Sequence, residues 1–245
     1  GWACLRTPLE WRAGMAFAMV ALARGCEWAL DDSRREAFDG TQHMTALDVT
    51  FFRRSGVWHA RVRMRKRKNL LVMRGKDSVV VLAGLTPAQR ATASFDVVGL
   101  LWEWLSERRL LGIPEDRPLF CSRAGAAFTV TQVRDTVKAV MAAAGCDPAK
   151  FGAHSLRIGG ATAALAAGVS PSLIRLMGRW SSDIYEIYCR MSLESALGVG
   201  QQIMAATVTP VTDEFHEEDL ELMPGEVAMF RRGMGMDEGV TEDDA

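Results

Sequence analysis

Four residues between positions 154 and 188 are of types that together could grip and attack a phosphodiester. His154 and Arg157 are three apart, so on a helix they project to the same face. An imidazole beside a guanidinium suits a phosphate, because the guanidinium can donate two parallel hydrogen bonds. Trp180 and Tyr188 follow, and the only two tyrosines of the chain, Tyr185 and Tyr188, both lie in this segment. Each residue alone has an ordinary structural explanation, but their order and spacing together favour chemistry on phosphate.

The segment 152–190, GAHSLRIGGATAALAAGVSPSLIRLMGRWSSDIYEIYCR, resembles the tyrosine recombinases, or phage-integrase-type site-specific recombinases. That family carries HxxR, then His or Trp, then a nucleophilic tyrosine, which here lies slightly closer to Trp180 than is usual. Tyr185 would be closer still, so Tyr188 is the better match for the nucleophile. The sequence of this segment looks closest to the DIRS-like and Crypton-like recombinases of eukaryotic mobile elements. Trp180, at the position before the nucleophile in the family motif, is also like the Cre recombinase.

The resemblance covers roughly residues 10–206 and implies two further catalytic residues. The first is an arginine in an R-x-x-E context, which Arg24-Gly25-Cys26-Glu27 matches. The second is a lysine on a β-hairpin, for which Lys68 is assigned, with Lys66 and Lys76 as rivals. The implied catalytic set is Arg24, Lys68, His154, Arg157, Trp180 and Tyr188.

The resemblance also implies how these groups would act. Arg24 and Arg157 would hold the non-bridging phosphate oxygens, and His154 would act as a base or as a hydrogen-bond donor. The Trp180 indole N–H would bond a phosphate oxygen or buttress the site, and Lys68 would protonate the leaving 5′ oxygen. The product would be a 3′-phosphotyrosyl link, formed without a metal, ATP or other cofactor. Strand exchange would run in a homotetramer on two DNA duplexes.

The distribution of charge independently favours a nucleic-acid partner. The 245 residues carry a net charge of −1, but residues 212–245 hold twelve acids and two bases. The preceding part is therefore basic, and its segment 53–76 holds ten bases and no acid. A solvated surface normally mixes charges of both signs, so this run predicts contact with DNA phosphates. The residues assigned to DNA binding are Arg61, Arg63, Arg65, Lys66, Arg67, Arg74 and Lys76.

Hydrophobic spacing predicts an α+β fold that is mostly helical, with a small antiparallel sheet near the N-terminal third. This is the architecture expected of a tyrosine-recombinase-like catalytic core. The predicted strands are 44–52, 57–65 and 78–82, and Arg54-Ser55-Gly56 joins the first two as a hairpin. The predicted helices are 8–30, 87–110, 129–144, 154–167, 170–178, 182–190 and 193–206.

Two units follow from this pattern. Residues 1–209 are expected to form the catalytic domain without the N-terminal core-binding domain of the family, so we expect the chain to be a fragment, a split product or a decayed element. Residues 210–245 are expected to form an acidic, partly disordered tail. Scattered cysteines and histidines predict no metal site and no disulfide framework, and no apolar run is long enough for a membrane span. An intracellular location, nuclear in a eukaryote, fits these features best.

Two other functions remain open at this stage. A non-catalytic DNA-binding protein, either derived from a recombinase or a helix-turn-helix regulator that uses 160–178, would keep the basic body and would not need Tyr188. A type IB topoisomerase-like nicking and closing enzyme would use similar arginine, lysine, histidine and tyrosine chemistry. Relaxation of supercoiled DNA without a partner site would favour the topoisomerase.

Overall fold

The computed structural model describes residues 7–65 and 78–180, and within them it confirms the mostly helical α+β fold. The helices of this part are α1 (Leu9–Val20), α2 (Gly25–Trp28), α3 (Pro87–Thr92), α4 (Val97–Leu110), α5 (Val130–Ala143), α6 (Ser155–Ala166) and α7 (Pro171–Gly178). The strands are β1 (Val49–Arg54), β2 (Val57–Met64) and β3 (Ser78–Leu82). The predicted helices 182–190 and 193–206 and the tail 210–245 lie outside the described residues.

The three strands form one antiparallel sheet in the order β1-β2-β3. Ser55 and Gly56 make the tight turn between β1 and β2 with φ of 48° and 77°, as a type I′ hairpin requires. Arg61 and Arg63 lie on the same face of β2, where they pair with Val81 and Val79 of β3. The predicted hairpin and third strand are therefore confirmed.

The first predicted strand begins later than the sequence pattern indicated. Residues Ala46–Asp48 form a turn of 3-10 helix, and β1 starts only at Val49. The Asp48 carboxylate accepts a hydrogen bond from the Thr45 backbone N–H at 2.9 Å, which favours the turn over an extended strand.

The prediction of one helix over 8–30 is wrong beyond Val20. The chain ends α1 with Leu22 in the left-handed region at φ 48°, and the Ala23 N–H bonds back to the Ala18 carbonyl. That arrangement is a helix C-cap of the Schellman type, with a leucine where glycine is usual. Arg24 is then extended at φ −72° and ψ 150°, and α2 begins at the next residue. The break turns the R-x-x-E sequence away from the axis of α1.

The predicted helix over 87–110 is two helices, α3 and α4. Ala93 is extended, which ends α3, and Asp96 caps the start of α4 by accepting a hydrogen bond from the Gly99 N–H at 3.0 Å. The helices at 129–144, 154–167 and 170–178 are confirmed as α5, α6 and α7. Thr129 and Ser170 cap α5 and α7, because each hydroxyl accepts from a backbone N–H of the first turn.

Two apolar clusters hold the fold together. The larger cluster buries α1 with α4 and the inner face of the sheet, and Trp104 at its centre donates its indole N–H to the Leu119 carbonyl at 2.8 Å. The smaller cluster consists of Leu22, Ala161, Ile174 and Trp180, and it joins α6 and α7 to the end of α1. No helix of the described residues has the length and apolarity needed to cross a membrane.

The close approach of α6 to α1 depends on Gly160. A Cβ at this position would overlap the Met19 carbonyl and the Leu22 side chain. At Gly159, by contrast, a Cβ would make only an ordinary contact with the Met19 side chain. This approach brings the beginning of α6 to the segment that contains Arg24.

Candidate active site

The start of α6, the end of α7 and the segment 21–27 meet at one place on the molecule. Leu22 and Arg179 are both left-handed there, at φ 48° and 56°, and they are two of the four non-glycine residues with positive φ among the described residues. Such conformations are costly and tend to cluster at functional sites, where surrounding contacts maintain them. The junction is therefore a candidate functional site.

Arg157 connects all three segments from a buried position. Its side chain extends from α6 and the residue is only 1% exposed. One terminal nitrogen, Nη1, donates to the Leu22 carbonyl, and Nη2 donates to the Gly178 carbonyl at 2.6 Å. A guanidinium can do this because its donors are rigid and planar, so Arg157 fixes both the left-handed turn after α1 and the end of α7.

Trp180 lies against the same guanidinium. The Cζ atom of Arg157 is 3.9 Å from the centroid of the Trp180 ring, within the range of a cation–π contact. Gly178 leaves the space for this ring, since a Cβ there would overlap the indole. Trp180 therefore packs its ring on the face of the Arg157 guanidinium.

Arg24 and Arg179 share the carboxylate of Glu27. Arg24 Nη1 donates to Glu27 Oε1 at 2.9 Å, and Arg179 Nη2 donates to Glu27 Oε2 at 2.9 Å. The Glu27 side chain is 3% exposed and also accepts from the Arg24 backbone N–H at 2.7 Å. The carboxylate is thus buried and satisfied by two cations, while the Arg24 side chain remains 21% exposed.

His154 is the exposed group at this junction. It is the N-cap residue of α6, three positions before Arg157. Partial loss of surrounding water, followed by the positive charges of Arg157 and Arg24, lowers the pKa of His154 below its usual value of 6.5. The ring is therefore neutral at pH 7, with one nitrogen able to accept a proton.

Three guanidiniums lie together at this junction. Arg24 and Arg179 bond the Glu27 carboxylate, and Arg157 bonds the Leu22 and Gly178 carbonyls. Guanidiniums beside a histidine are groups that suit an anion such as a phosphodiester. The described residues contain no group of His, Cys, Asp and Glu side chains that could hold a metal ion.

The arginines of the sheet have a different setting. Asp48, whose side chain is fully buried, accepts hydrogen bonds from Arg63 Nε and Arg65 Nε, both at 2.8 Å. Arg65 Nη1 also donates to the Gly40 carbonyl at 2.6 Å. Segment 53–76 contains no acid of its own, but in the fold Asp48 lies against it and orients two of its arginines, Arg63 and Arg65.

The pKa of Asp48 reflects this environment. Burial alone would raise it, but the Thr45 backbone N–H and the guanidiniums of Arg65 and Arg63 lower the pKa below its usual value. The carboxylate is therefore ionised at every pH above its usual pKa of 3.8.

The structure brings together four of the predicted catalytic residues, Arg24, His154, Arg157 and Trp180. Of the other predicted site residues, Arg61 and Arg63 lie on β2 and Arg65 follows it. The rest lie outside the described residues: Lys66, Arg67, Lys68, Arg74, Lys76 and Tyr188, together with the rival Tyr185. Sequence reasoning missed Arg179. The available signal was an arginine directly after a helix-ending glycine, in the position where a left-handed cap is expected.

Comparisons with known proteins find similar folds among solved structures. No protein-family model matches the chain, and no curated protein matches it. Among solved structures, a post-cleavage complex of the XerH site-specific recombinase with palindromic difH aligns with a TM-score of 0.53 at 22% identity, covering 81% of this chain and 46% of that one. A pre-cleavage XerH complex with difH gives 0.51 at 21% identity, covering 78% and 46%. XerA recombinase gives 0.56 at 16% identity, covering 84% and 60%.

These similarities establish the fold of the tyrosine recombinase catalytic domain for this chain. The chain spans less than two thirds of the length of each of these recombinases. At these identities the similarity concerns the fold, and the chemistry has to be argued from the residues of this chain.

Proposed function

We propose that the protein cleaves and rejoins DNA strands through a 3′-phosphotyrosyl intermediate, as a site-specific recombinase of the tyrosine type. The observation that supports this most strongly is the meeting of Arg24 and Arg179 on the buried Glu27 carboxylate with Arg157 and His154 at one junction. A phosphodiester is the anion that this cluster suits, and the fold is one in which XerH has been solved bound to a DNA substrate.

In the proposed reaction, the hydroxyl oxygen of Tyr188 attacks the phosphorus and the bond to the 5′ oxygen breaks. A tyrosine hydroxyl is a weak nucleophile near pH 7, because its usual pKa is about 10. The lowered pKa of His154 leaves its ring neutral and able to take that proton. Lys68 is proposed to protonate the departing 5′ oxygen, and a second 5′ hydroxyl then reverses the step.

The arginines have different tasks in this proposal. Arg24 is partly exposed, so its guanidinium is the one placed to donate to a non-bridging oxygen. Arg157 is buried and both terminal nitrogens bond carbonyl oxygens, so it contributes charge and rigidity beneath the phosphate. Fixed positive charge of this kind stabilises the developing pentavalent phosphorane without reorganisation during the reaction.

Double-stranded DNA would lie along the sheet, where Arg61, Arg63 and Arg65 meet its phosphates. Such contacts supply salt-dependent affinity and orientation without reading sequence. Assembly as a homotetramer on two duplexes, and an origin in a DIRS-like or Crypton-like element, are parts of the same proposal that rest on the resemblance of segment 152–190.

Covalent trapping tests the proposal directly. The full chain is incubated with a pool of nicked duplexes, denatured, and analysed for a protein–DNA adduct, alongside Tyr188→Phe and Tyr185→Phe. We expect an adduct in the wild type and in Tyr185→Phe, and none in Tyr188→Phe. An adduct lost only in Tyr185→Phe would reassign the nucleophile.

Two other outcomes would contradict the proposal. Salt-sensitive DNA binding without any adduct would identify a non-catalytic DNA-binding protein. An adduct accompanied by relaxation of supercoiled DNA that needs no partner site would identify a topoisomerase-like enzyme.

A further inference from the structure

Arg179 ends α7 in a conformation that normally selects glycine. Its φ of 56° and ψ of 41° place it in the left-handed region, as the C-cap of the helix. Glycine or asparagine would adopt this conformation at lower cost. An arginine here is better explained by its side chain than by the turn.

The side chain of Arg179 turns inward and spans two segments. Nη1 donates to the Met177 carbonyl at 2.9 Å and to the Ala21 carbonyl at 3.2 Å, and Nη2 donates to Glu27 Oε2 at 2.9 Å. The side chain is 12% exposed. Since these donors are directed at protein oxygens, Arg179 is placed to act on its neighbours instead of contacting DNA.

Those neighbours determine where Arg24 lies. Arg179 bonds one oxygen of the Glu27 carboxylate, and Arg24 bonds the other. The backbone carbonyl of Arg179 also accepts from Arg24 Nη2 at 3.4 Å. Arg24 is therefore held from two directions, and both contacts pass through Arg179 or a group bonded to it.

We infer that Arg179 is a positioning residue, which fixes Glu27 and through it aims the Arg24 guanidinium at the scissile phosphate. This inference rests on the proposed DNA cleavage. It predicts that loss of the Arg179 side chain slows the chemical step more than it weakens DNA binding, because the DNA-facing arginines of the sheet stay in place.

The test compares Arg179→Gln with Arg175→Gln, a matched change on the same helix. Single-turnover cleavage of a nicked duplex and the equilibrium Kd for that duplex are measured for each variant. For Arg179→Gln we expect a cleavage rate lower by about 10- to 100-fold, the effect of a misaligned catalytic group, with a Kd within about threefold of wild type. Arg175→Gln should change neither value.

Chemical rescue separates positioning from simple loss of structure. Arg179→Gly removes the side chain and relieves the left-handed backbone, so this variant should fold. Added guanidinium ion, at concentrations far below those that denature, should restore part of its cleavage rate by binding between Glu27 and the vacant site. Equal rates for Arg179→Gln and wild type, or a rate loss matching the unfolded fraction measured by circular dichroism, would overturn the inference.

A measurement that does not depend on cleavage tests the role of Arg179 even if the proposed function is wrong. If the wild type cleaves no duplex, the NMR titration of the His154 ring still reports on Arg24, whose charge contributes to its lowered pKa. Displacement of Arg24 in Arg179→Gln should move the His154 midpoint, and Arg175→Gln should leave it in place. An unchanged midpoint in Arg179→Gln would overturn the positioning role whether or not the protein cleaves DNA.

Discussion

The arginines of the junction and those of the sheet show two ways of using the same side chain. At the junction Arg157 is 1% exposed and its terminal nitrogens bond backbone carbonyls of two different segments. On the sheet Arg63 is 47% exposed at its side chain and bonds the buried Asp48 through Nε. The contacts of Arg157 immobilise its charge within the fold. The contact of Arg63 holds its Nε against Asp48, while the side chain remains partly exposed to solvent.

The two arrangements match the different requirements of a catalytic charge and of a charge that contacts DNA. A catalytic charge gains from being fixed in a dry, preorganised site, because no reorganisation is then needed when negative charge develops. A DNA-contacting charge gains from access to the phosphate backbone and is weakened by salt. We therefore expect replacement of a junction arginine to affect folding and rate, and replacement of a sheet arginine to affect DNA affinity and its salt dependence.

Replacing Arg157 gives the largest expected effect. Arg157→Met keeps an apolar stem but leaves the Leu22 and Gly178 carbonyls without their donor, so we expect the free energy of unfolding to fall by about 2–4 kcal/mol. Urea unfolding followed by circular dichroism measures the change, with Arg61→Met on the sheet as the control. Equal losses in the two variants would break the distinction between the two groups of arginines.

Asp48→Asn tests the sheet by the same measurement. The asparagine keeps the shape but loses the charge bonded to Arg63 and Arg65, and we expect a loss of about 2 kcal/mol near pH 7. Because the pKa of Asp48 in the folded protein is lowered, its contribution is present above the usual value of 3.8 and disappears as pH falls through the folded value. The difference from wild type should therefore shrink below pH 3.8, and a difference that is constant with pH would argue against the ion pairs.

Much of this comparison was accessible from sequence, and the reasons for the exceptions are physical. The alternation of Arg61 and Arg63 and the Ser55-Gly56 turn fix the face of β2, since both depend on local backbone geometry. The break after α1 was missed because Leu22 adopts a left-handed conformation that its residue type disfavours. The tertiary contacts with Arg157 and Arg179 favour that conformation, and no local pattern encodes them.

The same limit applied to the site. HxxR and R-x-x-E were visible as motifs, and the fold brings Arg24, His154 and Arg157 together. The burial of Arg157 and the sharing of Glu27 between Arg24 and Arg179 depend on residues more than 100 positions apart. Likewise, segment 53–76 has no acid of its own, and only the fold places Asp48 against its arginines.

A smaller effect is expected for DNA affinity when one sheet arginine is removed. Loss of one phosphate contact lowers the slope of log K against log salt by about 0.9. Arg61→Ala should show this reduction with an unchanged unfolding curve, measured by fluorescence anisotropy on a labelled duplex at several salt concentrations. Arg109→Ala, an exposed arginine of α4, serves as the control, and equal slopes for the two variants would remove the sheet from the DNA-binding surface.

The smallest effect concerns the titration of His154, which reports on the charges of the junction. Arg24→Gln removes one of the positive charges that lower the His154 pKa, so the midpoint should rise toward 6.5 but remain below it, because partial burial and Arg157 still act. NMR titration of the ring measures this, with His154→Gln to assign the resonance and Arg109→Gln as a distant control. Since the unfolded chain takes up the proton first, wild-type stability should decline as pH falls below 6.5, and less so in His154→Gln. A midpoint that does not respond to Arg24→Gln would place Arg24 and His154 in separate environments. The junction would then lack the shared electrostatic site that distinguishes it from the sheet.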